Sequence, residues 1–520
     1  MAVGRATPDT SKLPILAAVC LAALVLPLSF SGGAVATPAI GRDLGGSPTA
    51  LNWITNAFML TFGSSLMAAG ALADQFGRKR VFLTGIIAFA TVSLALSLAP
   101  SILILDILRA AQGFAAAAAL SGGTAALAQE FDAEARTKAF SLLGTTFGVG
   151  LAFGPLLAGC LIEAFGWRSI FLSGFIIGGL GLLLAAKRLP ESRDPAAQSL
   201  DWPGAIAFTG TLTLLTYGVI EAPEIGWTHP LVLAALLGAA AKLATFIVIE
   251  TRSARPMLDL SLFRYPRFIG VQVLPIATCY CYIVLLVLMP LRFIGVGGLN
   301  EIEAGLLLIA LSAPMLVVPF IAASLTRWFS AGALSGAGLL LTAFGLFWLG
   351  RVDPAQDGLA VVLPMLAIGV GTGLPWGLMD GLSVSVVPKE RAGMATGIFS
   401  TTRVAGEVVA LAIVNAVLAG LAKARLAILM PEDGDGVSAA AQRLAMGDVH
   451  GASAILPSLT AQEIRDSYSA AFQHLSIVLV IITIVSAFII FALLGRPAPK
   501  APTAGERVFQ PHQPRTNPDL

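Results

Sequence analysis

Long apolar runs separated by short polar stretches recur along the whole chain. Read as membrane-crossing helices, which need about 18 or more mostly apolar residues, they fall at 14–38, 51–72, 81–99, 102–127, 139–162, 168–187, 203–221, 230–250, 268–290, 304–325, 333–350, 358–386, 392–419 and 471–494. This pattern predicts an all-α polytopic membrane protein with 14 transmembrane helices. The first run follows Arg5 and Lys12 and ends near Ala34-Val35-Ala36, as a signal peptide would. Its apolar stretch is too long for a signal core and thirteen runs follow, so it is expected to stay as the first helix.

Lys and Arg are spread unevenly over the polar stretches. With the N-terminus inside, alternate stretches collect Arg78-Lys79-Arg80, Arg136, Lys138, Lys187, Arg188, Arg193, Arg252, Arg255, Arg264, Arg267, Arg327, Lys389, Arg391 and the tail, most of the 32 basic residues. The positive-inside bias and the even count predict a multi-pass protein of the cell (plasma or inner) membrane with both termini cytoplasmic. The long outer loop, 420–470, contains the turn-rich Pro431-Glu-Asp-Gly-Asp-Gly436 and an expected surface helix over 437–446.

Composition agrees with the pattern. Hydrophobic residues make up 56% and charged residues 12%, about half the charge of soluble domains. A net charge of +2 gives no footing for nucleic acid. The four cysteines lie inside apolar runs, without a disulfide framework or zinc-type spacing. No phosphate-binding G-x-x-x-x-G-K-[ST] loop occurs, so no nucleotide, metal or other cofactor is expected. Nor is an enzyme, since no nucleophile–base pair stands out.

Polar residues inside the spans are the candidate chemistry. Arg109 lies within LDILRAAQGFAAAAAL (105–120), where an arginine costs at least about 2.5–3.5 kcal/mol. Either it works in an internal polar cavity, or it snorkels or is neutralised by Asp106, three residues back on one helical face. Asp380 lies in the twelfth run and Glu407 in the thirteenth, four residues after Arg403 and expected to pair with it. Desolvation favours a neutral carboxyl and a nearby cation the charged one, so a buried acid beside an arginine is able to trade protons near neutrality. The alternatives are a static neutral pair for Glu407 and a wetted interfacial carboxylate for Asp380. Lys242 is given no transport role. Glu163, Glu221 and Glu250 sit near span ends and read as interfacial.

Three motifs carry a resemblance. Gly70-Ala-Leu-Ala-Asp74-Gln-Phe-Gly77-Arg78-Lys79-Arg80 resembles the G-x-L-A-D-x-x-G-R-K signature of the major facilitator superfamily. Arg109-Ala-Ala-Gln112-Gly113 is similar to its R-x-x-Q-G motif, associated with proton transfer. Gly150-Leu-Ala-Phe-Gly154-Pro155-Leu-Leu-Ala158-Gly159 is similar to its antiporter motif. Fourteen spans resemble the drug:proton antiporter subfamily of the multidrug efflux type, and local matches include Trp53, Trp167-Arg168, Asp201-x-x-Gly204, Arg255-Pro256-x-x-Asp259 and Pro388-x-x-Arg391.

The resemblance implies a cytoplasmic N-terminus (1–12), an N-terminal six-helix half (13–190), two inserted helices with flanking loops (191–267), a C-terminal six-helix half (268–495) and a disordered cytoplasmic tail (496–520). It implies proton-coupled efflux of amphiphilic drugs or other small molecules by alternating access, by a monomer. Binding is expected near the midplane, where the halves meet. Arg109, Asp106, Asp380, Arg403 and Glu407 would relay charge. Gly70, Asp74, Gly77, Arg78, Gly154 and Pro155 would gate. Ser29, Phe30, Phe58, Gln112, Arg292, Trp376 and Met379 would line the substrate cavity, each also readable as ordinary packing. One departure matters. Where the subfamily carries an aspartate in helix 1, this chain has Ser29, so no helix 1 carboxylate couples protons. A narrow exporter of one metabolite or natural product, or a carrier without proton coupling, is the alternative.

Overall fold

A computed structural model describes residues 12–131, 133–193, 201–253, 258, 260–352, 358–386, 392–431 and 434–495. The described residues form helices and connecting turns, without strands. In chain order these are α1 (Leu13–Leu44), α2 (Pro48–Phe76), α3 (Arg78–Ser97), α4 (Ile102–Glu130), α5 (Ala133–Phe165), α6 (Arg168–Ala185), α7 (Trp202–Ile225), α8 (Pro230–Arg252), α9 (Pro266–Thr278), α10 (Val284–Pro290), α11 (Glu301–Ser312), α12 (Pro314–Leu325), α13 (Ala331–Leu349), α14 (Val362–Ser385), α15 (Ala392–Leu429), α16 (Gly434–Ala445), α17 (Val449–Ile455) and α18 (Ala461–Leu494).

Local chemistry sets the ends. Ser47, Ser101 and Asp201 cap α2, α4 and α7 by accepting from Ala50, Ile104 and Gly204 N–H groups. Asn300 with Glu303 and Thr460 with Glu463 form capping boxes on α11 and α18. Such side chains satisfy N–H groups left over in a first helical turn. Prolines shape the interiors. Pro314 separates α11 from α12. Pro275 and Pro290 precede two π-helical stretches, Cys279–Ile283 and Leu291–Val296, which with α9 and α10 make one crossing, Pro266–Val296. A proline lacks the N–H that the helical ladder needs, and π turns take up the slack.

Twelve helices among the described residues are long and apolar enough to cross a membrane, or thirteen with α2 taken as one bent span. The fifth expected crossing lies on α5, whose Phe153–Phe165 is a shorter apolar helix by the same test. The count is thus compatible with the fourteen expected. The expected outer loop is corrected: most of 420–470 is helix. α15 runs on to Leu429, and α18 begins at Ala461 rather than near 471. At 1.5 Å per residue α18's 34 residues span about 51 Å, against a hydrocarbon core of about 30 Å. Its first turns therefore rise beside α16 and α17. The tail 496–520, residues 254–257 with 259, and 387–391, which hold the Arg255 and Pro388 matches, lie outside the described residues.

Helices α1–α6 pack as one bundle and α9–α15 with α18 as a second. The inserted pair α7–α8 packs on itself, and α7 lies against both α2 and α15, across the seam between bundles. We call the end carrying Lys12 and Gly495 the base, and the opposite end, with α16 and α17, the cap. The halves join chiefly where α2 meets α15 and α5 meets α11, and also where α1 meets α10 and the Leu291–Val296 stretch.

Candidate functional site

Arg109 is fully buried between α1, α2, α3 and α4. Its Nε donates to the Ile54 carbonyl and its Nη1 to Gln112 Oε1, both at 2.7 Å, and Gln112 Nε2 donates to Ser93 Oγ at 2.8 Å. The guanidinium carbon sits 4.5 Å from the Phe58 ring centroid, close enough for a cation–π contact. Its Nη2 has no hydrogen-bond partner and faces α1 at Gly33, where a methyl group would come within 3.0 Å. Asp106, one alternative partner for Arg109, makes no hydrogen bond to it, although the two charges lie close enough to interact. Asp106 Oδ1 is buried without a hydrogen-bond partner, while an α2 carbonyl and the Gln112 amide hold Nε and Nη1. Phe58 and Gln112 belong to this sealed cluster rather than to an open wall. Ser29 and Phe30 are buried as well.

The motif between α2 and α3 forms the base of the N-half. Gly77 takes φ 115°, a left-handed value that side chains disfavour, and a methyl there would overlap Glu191. Arg78 donates through Nε and Nη2 to Asp74 Oδ1 at 3.0 and 2.9 Å and through Nη1 to Gln129 Oε1 at 3.0 Å. Its backbone N–H donates to the Ser192 carbonyl at 2.8 Å. These contacts tie α2, α3, α4 and the chain after α6 together within one half. A methyl on Gly70 would meet open space, so packing does not explain that glycine. Asp74→Asn is expected to cut transport about tenfold, roughly 1.4 kcal/mol at the barrier. Melting should move by less than about 1 kcal/mol, because such partly exposed pairs contribute little. Initial transport rates and melting curves of the purified variant check both.

Gly154 and Pro155 sit where α5 meets α1 and α11. A methyl on Gly154 would overlap Ser31 Oγ of α1, and Gly305 of α11 lies against the Pro155 carbonyl and Leu156. The C-half repeats this crossing with different chemistry. Gly406 stands over Cys279 as Gly154 stands over Ser31, Pro275 precedes Cys279 as Pro27 precedes Ser31, and Glu407 follows Gly406 where Pro155 follows Gly154. Likewise Gly373 abuts Val318 of α12 as Gly113 abuts Thr61 of α2. Gly369, pressed on the Leu311 carbonyl, takes the place of Arg109 beside the Ile54 carbonyl. The buried arginine of the N-half therefore has no counterpart at Gly369.

The C-half charges are instead partly exposed. Arg403 Nη1 lies 3.5 Å from Asp380 Oδ1, with side chains 27% and 66% exposed. The expected Arg403–Glu407 pair is thus replaced by one across two helices. Glu407, half-buried one turn further along α15, neighbours the Cys279 thiol, which donates to the Arg403 carbonyl at 3.5 Å. Trp376 is half-buried with its ring 6.1 Å from Tyr282, and Met379 is fully buried. Arg292 lies inside the C-half at the cap end, donating to the Val352 carbonyl at 2.6 Å and stacked 4.0 Å over Phe472. Lys242 is exposed on α8 with its stem along Gly210 of α7. Glu250, near the base end of α8, is buried and accepts from the Leu258 N–H at 2.9 Å.

Sequence reading missed the closure at the cap. Arg42 Nη2 meets Glu301 Oε1 across the halves at 2.8 Å, and Asn415 Nδ2 donates to Asn52 Oδ1 at 2.7 Å. Gln442 of α16 donates to the Pro223 carbonyl of α7 at 2.7 Å. A methyl on Gly295 would run into the Gly447 backbone, so the turn after α16 rests on the Leu291–Val296 stretch. No local motif marks these pairs, because each joins residues far apart in the chain.

A family model described as Major Facilitator Superfamily matches residues 19–411. The Multidrug resistance protein Stp of Mycobacterium tuberculosis (strain CDC 1551 / Oshkosh) is 33% identical over 395 residues, covering 75% of this chain and 73% of the relative. The Tetracenomycin C resistance and export protein of Streptomyces glaucescens is 28% identical over 408 residues, 78% of this chain and 76% of the relative. Among solved structures, a bacterial homolog of the human lysosomal transporter Spinster has the same fold, with a TM-score of 0.61 at 14% identity, over 95% of this chain and 100% of that one.

Proposed function

This chain belongs to the major facilitator superfamily, and on that premise we propose that it exports amphiphilic small molecules in exchange for protons, by alternating access. It is a membrane transporter, not an enzyme. The base faces the cytoplasm in this reading, since Arg78, Lys79, Arg80, Lys187, Arg188, Arg193, Arg252 and Arg327 gather there. With the cap closed by Arg42–Glu301 and the glycine-lined seams, the conformation receives substrate from the cytoplasmic side.

The observation that carries the reading is the contrast between halves. Arg109 is sealed, held through Nε and Nη1, whereas Arg403 and Asp380 form a partly exposed pair one turn from Glu407. A carboxyl group beside a counter-ion that is free to shift is able to load and release protons. We assign the proton exchange to the Asp380–Arg403–Glu407 group, and to Arg109 the task of holding α1 against α2 and α4. Asp74 and Arg78 keep the N-half base rigid as the halves rock. Relatives named for multidrug resistance and for tetracenomycin C export support a drug-like or natural-product cargo.

The test uses proteoliposomes holding an internal pH dye, with ethidium, chloramphenicol and novobiocin as cationic, neutral and acidic probes. A pH change on adding a probe, lost in Glu407→Gln, is the expected result. Absence of a proton signal with every probe, alongside measurable counterflow, would mean a carrier without coupling. A second reading, a narrow exporter, is favoured by Ser29 standing where the subfamily carries an aspartate. A signal confined to one chemical class of probe would select it.

A further inference from the structure

We infer that Arg403 is a moving counter-ion that exchanges between Asp380 and Glu407, and that this exchange ejects the proton from Glu407. The inference rests on the antiport reading for its role in transport, although the exchange itself is testable without transport.

The two partners are placed for a hand-over. Asp380 is on α14 and is met across helices, so its distance from Arg403 changes whenever α14 and α15 shift. Glu407 is four residues after Arg403 on the same face of α15, so that pairing needs only a rotamer change. At present the guanidinium is on the Asp380 side, 3.5 Å from Oδ1. The other groups near Glu407 among the described residues are the Cys279 thiol and, behind it, Cys281, both on the π-helical stretch Cys279–Ile283. The apolar run of α2 that meets α15 at Gly63 and Val404 brings no charge.

The repeat locates the moving part. In the N-half a methyl on Gly150 or Gly154 would overlap Pro27 or Ser31, so α1 and α5 interlock. At the equivalent C-half crossing, a methyl on Gly406 would rest 3.5 Å from Cys279 Sγ, at ordinary van der Waals distance. The crossing beside Glu407 has clearance where its twin has none, and a carboxyl group stands where the twin has Pro155.

The proton balance is simple. With Arg403 on Asp380, Glu407 is a neutral carboxylic acid. When α14 withdraws, Arg403 turns to Glu407, the O–H bond breaks, the proton leaves to water, and the carboxylate keeps the electron pair beside the guanidinium. Asp380 takes no part in the proton transfer. A carboxyl group in a low-dielectric site holds its proton without a cation and releases it when one arrives.

Infrared difference spectra of purified protein, titrated between pH 5 and 9, read the exchange without any substrate. We expect a carboxylic-acid C=O band that is absent in Glu407→Gln. Asp380→Asn frees Arg403 for Glu407, so the midpoint at which the band disappears should fall by about one pH unit or more. Arg403→Gln should raise it, and Asp380→Glu should restore the wild-type midpoint. A band unaffected by Glu407→Gln, or a midpoint unmoved in Asp380→Asn, overturns the exchange. The expected titration in a protein that moves no protons with any probe would uphold the exchange and overturn the antiport reading instead.

Discussion

Arg109→Ala is expected to abolish transport and to remove about 2–5 kcal/mol of stability, the range for disrupting a buried polar network. The substitution would strand the Ile54 carbonyl contact and Gln112 Oε1, and would empty the space over Phe58. Arg109→Lys should rescue little. An ammonium has neither the planar fork that reaches Ile54 and Gln112 together nor the flat face that lies on Phe58. Melting of the purified protein and probe efflux from proteoliposomes check the two halves of the prediction. Near-wild-type efflux in Arg109→Ala would show that the network is dispensable, leaving its burial cost without a purpose.

The second large effect concerns the α5–α11 seam. Gly305→Leu should lower transport at least about tenfold by disfavouring the cap-closed conformation. A Cβ at Gly305 would already lie 2.8 Å from Leu156 Cα and 3.0 Å from the Pro155 carbonyl. Those are backbone atoms, so the seam must part, at a cost of about 1–3 kcal/mol. With about 1.4 kcal/mol for each factor of ten, that shifts the balance between conformations by roughly one to two decades. A Thr37→Cys reporter, buried on α1 near the cap, should then react faster with a membrane-impermeant maleimide from the cap side. Gly420→Leu serves as the control, because a methyl there meets open space. Equal labelling in Gly305→Leu and wild type would refute the seam as the closing contact.

Much of the architecture was legible in the chain. Apolar runs marked where helices lie, since only a helix satisfies its own backbone inside a bilayer. The Gly77 turn could be read from its motif, and its φ of 115° explains the glycine. Helix ends were legible only where runs stopped. α15 and α18 extend past the apolar stretch because their outer turns are amphipathic and rest on α16 and α17, which a hydropathy pattern does not register.

The candidate site was read less well. Arg109, Asp380, Arg403 and Glu407 stood out because a charge in an apolar run is costly wherever it points. Their partners did not stand out. Sequence spacing offered Asp106 and Gln112 to Arg109 equally, three residues to either side, and Glu407 to Arg403, yet Arg109 turned to Gln112 and an α2 carbonyl, and Arg403 to Asp380 on another helix. Arg292 looked like a cavity residue, yet it lies against Val352 and Phe472 inside the C-half.

By itself the sequence determined which segments cross a membrane, the base-side turn and which charges lie within the spans. Those follow from local rules: burial of apolar runs, left-handed backbone at a glycine, and the cost of an ion in hydrocarbon. The three-dimensional packing settled which charges are buried and which exposed, which partner each arginine takes, and that Arg42 and Glu301, 259 residues apart, pair across the halves at the cap. Inside a membrane every helix offers a similar apolar surface, so pairing is settled by small-residue packing between particular faces. The spacing of residues along one chain does not reveal which faces will meet.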